Sequence, residues 1–169
     1  MMMMEHTRSI SRIMHEEHMA VAGLLERLER FITANRASAP DASDPPTARL
    51  LGDLTAAVEG EIKAHFTFEE EELFPRLDEG SPSGMTSILL EEHGVILPAG
   101  EELAKIAKEA RAGGFTGDSW TAFCRIGLEF AERLSGHIDK EEMGMIAAIE
   151  SVIDEDTDQT LTSGYVMDR

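Results

Sequence analysis

The sequence predicts an all-α protein, a four-helix bundle whose helices run up, down, up and down. Apolar residues recur at three- and four-residue spacing over four long segments, which is the period of an amphipathic helix. Short runs rich in proline, glycine and small polar residues separate those segments. Aromatic residues make up only 5% of the 169 residues, and the sequence lacks the alternating β-branched runs that indicate strands.

The breaks between the predicted helices lie at residues 37–46, 78–84 and 113–118. Helices of similar length joined by short connections favour antiparallel neighbours, and this favours the up-down-up-down order. We predict three regions: a disordered or frayed N-terminus at 1–8, the bundle at 9–154, and an acidic, polar tail at 155–169.

The starts of the second and fourth helices are predicted from residues that favour the N-cap position. Thr47 is in reach of that role for the second helix. Asp118 or Ser119 is a suitable N-cap for the fourth.

Each predicted helix carries one apolar stripe, and a histidine interrupts that stripe near its middle. In chain order these residues are His18, His65, His93 and His137. In the second and fourth helices a glutamate, Glu69 or Glu141, follows four residues later, one turn along the same face. The apolar members of the stripes are, helix by helix, Met14, Val21, Leu25 and Ile32; Leu51, Leu54 and Val58; Leu89, Ile96, Leu97 and Ala104; and Phe123, Ile126, Phe130 and Ala148.

These inward polar residues indicate a metal site. A buried carboxylate without a partner is very costly, so Glu69 and Glu141 must be paired, neutralised or bound to a metal. Imidazole and carboxylate donors without thiolate suit iron or manganese, with zinc as a further substitute. The alternative is a metal-free bundle in which the histidines are hydrogen-bonded core residues. In the acidic run that follows Glu69, we interpret Glu70 and Glu71 as a solvated face.

An internal repeat supports a pair of metals. Residues 13–18 (IMHEEH) resemble residues 88–93 (ILLEEH), and residues 65–70 (HFTFEE) resemble residues 137–142 (HIDKEE). The two motifs are offset by nearly the same number of residues, so the chain is a helix pair used twice. Approximate two-fold symmetry of this kind favours a site for two metal ions over a site for one.

Residues 65–75 (HFTFEEEELFP) resemble the H-x-x-x-E-E-x-x-L-F-P signature of the hemerythrin family, in its bacterial HHE cation-binding branch. The Glu-Glu-His triplets of the first and third helices extend the similarity over about residues 9–154. The resemblance implies an up-down four-helix bundle that holds two non-haem iron ions, joined by an oxo or hydroxo bridge. The ligands that it implies are the six that spacing selects: His18, His65, Glu69, His93, His137 and Glu141.

Two features depart from the oxygen-carrying hemerythrins. Leu97 stands where they have a second histidine in the third helix, and Glu141 replaces an aspartate at a longer spacing in the fourth. The pattern H, HxxxE, H, HxxxE resembles a subgroup distinct from the respiratory carriers. If both glutamates bridge, two octahedral irons keep about two open positions instead of about one. A more open pair favours reaction with peroxide over reversible carriage.

The resemblance therefore predicts a protein that binds or reacts with O2, H2O2 or NO, in a response to these molecules rather than in respiratory oxygen carriage. The alternative is a reversible O2, NO or iron sensor, or an iron store, without turnover. Whether the chain is an enzyme stays open, and we predict no catalytic residue beyond the metal ligands.

For two residues near the predicted site, His15 and Tyr165, the sequence leaves two interpretations open. His15 lies about a quarter turn off the inner stripe of the first helix, so it belongs either to the rim around the ligands or to the surface. Tyr165, the only tyrosine, is either part of a disordered tail or a side chain that folds back towards the metals.

Charge and cysteine content limit the partners. The formal net charge of −18 argues against nucleic acid and anionic membranes, because both would repel the chain. Cys124 is the only cysteine, which excludes an internal disulfide and fits the reducing cytoplasm. With no export signal or membrane span evident, we expect a cytoplasmic protein whose partner is a small diatomic ligand or peroxide.

Overall fold

The computed structural model describes residues 6–168, and every secondary-structure element in that range is helical. The predicted all-α class is confirmed, and the connections at the three predicted breaks are short. The five helical stretches are α1 (Ser9–Ala34), α2 (45–80), α3 (Met85–Gly113), α4 (117–152) and α5 (Glu155–Met167).

The hydrogen-bond ladder changes locally in α2 and α4. Both Glu69 and Glu141 stand at the first residue of a π-helical segment, and such segments are frequent at functional sites. In α2 the α-helical parts are Pro45–Ala56, Lys63–Phe68 and Phe74–Gly80, and the π-helical parts are Ala57–Ile62 and Glu69–Leu73. In α4 the π-helical part Glu141–Met145 separates Gly117–Lys140 from Ile146–Val152.

The four long helices surround two apolar clusters. α1 packs against α4 and α2, and α3 packs against the same two helices. The larger cluster includes Leu28, Leu51 and Phe123, and the smaller one includes Met14 and Ile146. Along α1 and α3 the chain passes from the smaller cluster to the larger, and along α2 and α4 it passes in the opposite order. In each helix the predicted histidine lies close to the change from one cluster to the other.

Both predicted helix starts need correction. α2 begins at Pro45, with Asp44 rather than Thr47 at the N-cap position, because the fixed φ of proline suits the first helical residue. α4 begins after Thr116, not at Asp118 or Ser119. The Thr116 hydroxyl accepts a hydrogen bond from the Ser119 N–H, and the Ser119 hydroxyl accepts one from the Thr116 N–H. This reciprocal pair satisfies two backbone donors that either residue alone would leave free.

The prediction of a disordered or frayed N-terminus at 1–8 can be compared with the structure only at residues 6–8, since residues 1–5 lie outside the described residues. The last two residues before α1 are held against α4. The Thr7 hydroxyl donates to Glu150 at 2.6 Å, and Arg8 Nε donates to the Ile153 carbonyl at 2.7 Å. This part of the segment is therefore anchored, not frayed.

The predicted polar tail at 155–169 is wrong for most of its length, because residues 155–167 form α5. Leu161 and Tyr165 are buried in the smaller apolar cluster. Asp158 is also buried and reaches the start of α1. A helix with so few apolar residues is stable here because it packs on α1 rather than through its own sequence.

Asp158→Ala is expected to lower the free energy of unfolding by about 1–2 kcal/mol, the usual cost of losing a helix cap. The Asp158 carboxylate accepts the backbone N–H groups of Ser9 and Ile10, both at 2.9 Å, and the side chain of the N-cap residue Arg8 makes no capping hydrogen bond. Urea unfolding followed by circular dichroism measures the change. Asp156→Ala, on the exposed side of α5, is the control and should leave stability nearly unchanged. Equal stabilities of the two variants would contradict the capping role.

None of the helices in the described range, residues 6–168, has the length and hydropathy of a membrane span.

Candidate metal centre

The six residues predicted as ligands converge in one buried layer between the two apolar clusters. α1 contributes one of them, α3 contributes one, and α2 and α4 contribute two each. Side chains in this layer are almost fully enclosed: the exposed fractions are 3% for His18, 6% for His65, 0% for Glu69, 3% for His93, 1% for His137 and 0% for Glu141.

The layer contains two overlapping groups of donors. One group is pair A, His18 and His65, with both glutamates, and the other is pair B, His93 and His137, with the same two glutamates. Within each group, the donor atoms lie within 4.8 Å of one another. Four donors at this separation are suited to holding one cation, so the layer has two such places that share two residues.

Each glutamate offers one oxygen to each histidine pair. Glu69 Oε2 lies 3.2 Å from His65 Nε2 in pair A, and Glu69 Oε1 lies 3.1 Å from His93 Nε2 in pair B. Glu141 Oε1 lies 2.8 Å from His18 Nε2, and Glu141 Oε2 lies 3.3 Å from His137 Nε2. A carboxylate that faces two sites with different oxygens has the arrangement of a bridging ligand.

Several buried atoms of this layer contact a neighbour of the layer without the geometry of a regular hydrogen bond. They are His65 Nε2, both carboxylate oxygens of Glu69, and Glu141 Oε2. Burying polar atoms with incomplete hydrogen bonding is costly, particularly for carboxylates, unless a cation compensates them. The donor set and these atoms therefore fit a metal.

A second layer of carboxylates surrounds the histidines. Each histidine places Nδ1 against a carboxylate oxygen, and a neutral imidazole that donates from Nδ1 presents the Nε2 lone pair inward. Outer partners of this kind orient metal-binding histidines and increase their basicity. The four outer carboxylates are Glu142 at 3.2 Å from His18, Glu17 at 2.8 Å from His65, Glu70 at 2.8 Å from His93, and Glu92 at 2.8 Å from His137.

The outer carboxylates were not predicted as partners of the histidines. Glu70 and Glu71 are both exposed, as predicted, but Glu70 also contacts His93, a contact that the prediction missed. The internal repeat contains the missed signal. A glutamate precedes the ligand histidine in both Glu-Glu-His triplets, and a glutamate follows the ligand glutamate in both HxxxEE motifs. All four of these glutamates face a histidine of a neighbouring helix.

His15 and Tyr165 both lie outside the ligand layer. His15 contacts Glu142, the outer partner of His18, and its side chain is 36% exposed. The Tyr165 hydroxyl donates to Glu17, the outer partner of His65, at 2.7 Å. His15 therefore stands at the rim, and Tyr165 is neither in a disordered tail nor directed at the ligand layer.

The two histidine pairs have different surroundings. The ring of Phe66 stacks on His93 with centroids 3.7 Å apart and an interplanar angle of 4°, and Phe74 lies on the same imidazole at 5.5 Å. Both histidines of pair A, and His137 of pair B, border a cavity of about 360 Å³. The other residues that line this cavity include Glu141, Ile13, Val21 and Ile62. A small molecule could approach the layer from this side.

The buried charges shift the pKa values of the layer in the metal-free protein. Burial lowers the pKa of His65, but the charge of Glu69 and hydrogen bonds to Glu141 and Glu17 outweigh it and raise that pKa well above 6.5. The pKa values of His18 and His137 are raised in the same way, against burial, chiefly by Glu141. In the metal-free protein, protons on these histidines therefore take the place of the metal.

The two glutamates shift in opposite directions. Burial, followed by the charge of Glu141, raises the pKa of Glu69. For Glu141 burial also raises the pKa, but hydrogen bonds with Glu69 and the histidines outweigh it and lower the pKa well below 4.5. Two carboxylates this close share protons as a pair.

We expect the metal-free protein to lose stability as the pH rises above about 6.5. A histidine with a raised pKa contributes stability that is fully present below its unfolded value and is lost as the pH rises through its folded value. The raised pKa of Glu69 acts in the same direction, whereas the lowered pKa of Glu141 matters only below about 4.5. The melting temperature of chelator-treated protein at pH 6 and pH 8.5 measures the effect.

Metal-loaded protein is the control for this prediction. Metal competes with protons for the same nitrogens, so the loaded form should not lose stability over this range, and the difference between the two forms should widen with pH. A metal-free protein that is equally stable at both pH values would contradict the prediction.

Comparison with known proteins gives one match. The family model described as the hemerythrin HHE cation binding domain matches residues 9–149. Neither the curated proteins nor the solved structures gave a match.

Proposed function

The chain belongs to the hemerythrin HHE cation-binding family, and from this premise we propose that it is a non-haem di-iron protein that reacts with hydrogen peroxide. The observation that carries the proposal is the sharing of Glu69 and Glu141 between two histidine pairs. Two metal positions bridged by two carboxylates are the expected use of that arrangement.

We infer that the four long helices form the up-down-up-down bundle typical of such centres. The order in which each helix passes the two apolar clusters supports alternating directions, as does the ring of contacts from α1 through α4 and α3 to α2. A bundle of this kind brings inward side chains from four helices to one level.

Iron is the metal that we propose, with manganese and zinc as substitutes. Four imidazoles and two carboxylates lack the thiolates that mark structural zinc or iron–sulfur sites. Because zinc and copper often bind such sites more tightly than Fe²⁺, donor chemistry alone does not select iron. Metal analysis of protein purified without added metal tests the identity and the number of ions together.

The residues of the layer would bind each ion through one histidine pair and both glutamates. These donors leave about two of the twelve octahedral positions open if an oxo or hydroxo group also bridges the ions. Leu97 contributes no donor, so no third histidine closes a position. The cavity beside the layer is large enough for peroxide. Its lining combines apolar residues, among them Ile13, Val21 and Ile62, with the acidic residues Glu16, Glu17 and Glu61.

Two bound iron ions would supply the electron transfer for peroxide disproportionation, in which one H2O2 is reduced to two H2O and a second H2O2, oxidised to O2, provides the two electrons and two protons. The chain's own residues hold and orient the ions and limit access. The buried glutamates would offset part of the charge of the ions, and the outer carboxylates would fix the histidine orientations. No nucleophile or general base outside this layer is needed for such chemistry.

The test is the rate of peroxide loss from iron-loaded protein, followed by absorbance or an oxygen electrode. Wild-type protein should consume peroxide over many turnovers, and His65→Ala should not. Glu71→Gln, an exposed change in the same helix, is the matched control and should behave as wild type. Stoichiometric binding of O2 or NO without turnover would favour the sensor or storage alternative, and absence of peroxide loss above the His65→Ala rate would overturn the proposal.

A further inference from the structure

An oxygen of Glu17 connects α5 to the ligand layer. The Tyr165 hydroxyl donates to Glu17 Oε1 at 2.7 Å, and His65 Nδ1 lies 2.8 Å from the same oxygen. Phenol, carboxylate and imidazole thus form one hydrogen-bonded chain that ends at a ligand of pair A. Through this chain, a residue of the predicted tail reaches the metal centre.

The Tyr165 side chain is held firmly in this position. Its ring is buried and lies against Phe68, with centroids 4.4 Å apart. The other end of α5 is fixed by Asp158, which caps the first turn of α1. α1 also carries Glu17, so α5 contacts that helix at two separate points. The Phe68 contact fixes the tyrosine ring, and the Asp158 contact fixes the helix that carries it. A hydroxyl held in this way can define the orientation of the Glu17 carboxylate.

The internal repeat provides a comparison within the same molecule. Glu92 occupies in the second half the place that Glu17 occupies in the first, and it holds His137 as Glu17 holds His65. Glu92 also contacts the ammonium group of Lys140, which lies within the repeat on α4. Each of these two outer carboxylates therefore contacts a histidine of the layer and one further hydrogen-bond donor. For Glu17 that donor is a neutral phenol from α5, which lies outside the repeat.

We propose that Tyr165 is a positioning residue for the metal held by pair A: its hydroxyl orients Glu17, and Glu17 orients His65. The inference rests on the proposed metal centre. It assigns α5 a role in that centre. It also implies that the two metal positions differ in their outer hydrogen-bond partners despite the repeat. Val166, the next residue of α5, lines the same cavity as His65.

Stepwise binding of Co²⁺ to metal-free protein tests this inference without measuring catalysis. Competition with a chelator gives two binding constants, and the visible absorption of Co²⁺ reports the ligand geometry. Tyr165→Phe keeps the ring and removes the hydroxyl. It should weaken one of the two constants by about 10-fold, the lower end of the effect of losing an outer partner, and leave the other unchanged.

Other variants separate the hydroxyl from the helix. Glu17→Gln should weaken the same constant at least as much, whereas Lys140→Met should weaken the other constant. Gln159→Ala, an exposed change on α5, is the control and should change neither. The melting temperature of metal-free Tyr165→Phe shows whether the variant remains folded, and Glu17→Gln tests the same chain if it does not.

The results distinguish the two proposals. If wild-type protein binds two Co²⁺ ions and Tyr165→Phe binds both with wild-type constants and spectrum, the role of Tyr165 is overturned and the metal centre stands. Equal weakening of both constants would also overturn it, since the effect would then not be specific to pair A. If wild-type protein binds no Co²⁺, the metal centre is overturned, and the inference fails with it.

Discussion

Glu69→Gln is expected to remove both metal ions and not only one. Glu69 offers one oxygen to each histidine pair, and glutamine lacks both the negative charge and one of the two oxygen donors. The loss in affinity at each position should exceed the roughly 10–100-fold cost of losing an outer partner. Metal content per chain, measured by mass spectrometry on protein loaded with iron without oxygen, should fall from two towards zero.

Two further variants make the result specific. Glu71→Gln removes the same charge from an exposed position two residues away and should keep both ions. His93→Ala removes a donor of pair B alone, so it should lose one ion while pair A keeps the other. A Glu69→Gln protein that is folded and still binds two ions would show that this carboxylate does not bridge.

The six candidate ligands could be predicted because helical geometry fixes the direction of side chains. Within each long helix, the apolar stripe defines the buried face, and a charged or imidazole side chain on that face is costly without a partner. His18 and His93 each interrupt such a stripe alone, and the i, i+4 pairs add Glu69 and Glu141. The level at which the four helices meet follows from their similar lengths and short connections.

The outer carboxylates were missed for a related reason. Glu17 and Glu92 each precede a candidate ligand by one residue, so they point about 100° away from the buried stripe and resemble surface residues. Their histidine partners lie on other helices, at sequence separations that no local pattern describes. The repeat shows that these glutamates recur, but only packing shows which histidine each one meets.

α5 was missed because its stability is tertiary. Only three of its residues are buried, and one of these is the acidic Asp158, so neither hydrophobic periodicity nor composition indicates a helix. Its anchors are backbone N–H groups at the start of α1 and the Glu17 carboxylate. Contacts between opposite ends of the chain leave no trace in a local window of sequence.

Removal of metal is expected to lower the melting temperature by about 10–20 °C. A ligand at 100 times its dissociation constant stabilises a folded protein by about 2.7 kcal/mol, so two successive binding steps, each at this saturation, contribute about 5 kcal/mol. For a chain of this size, each kcal/mol moves the melting temperature by about 2–4 °C. The buried layer makes this contribution large, because metal removal leaves two enclosed carboxylates to be compensated by protons alone.

Calorimetry of iron-loaded and chelator-treated protein, at fixed pH and protein concentration, measures this difference. Refilling the treated protein should restore the higher melting temperature. Glu69→Gln should melt at the same temperature with and without metal, whereas Glu71→Gln should keep the full difference. If chelation left the wild-type melting temperature unchanged while metal analysis confirmed that the ions had been bound and removed, the polar layer would be stable without a cation. The metal-free bundle with a hydrogen-bonded polar core would then describe the protein better.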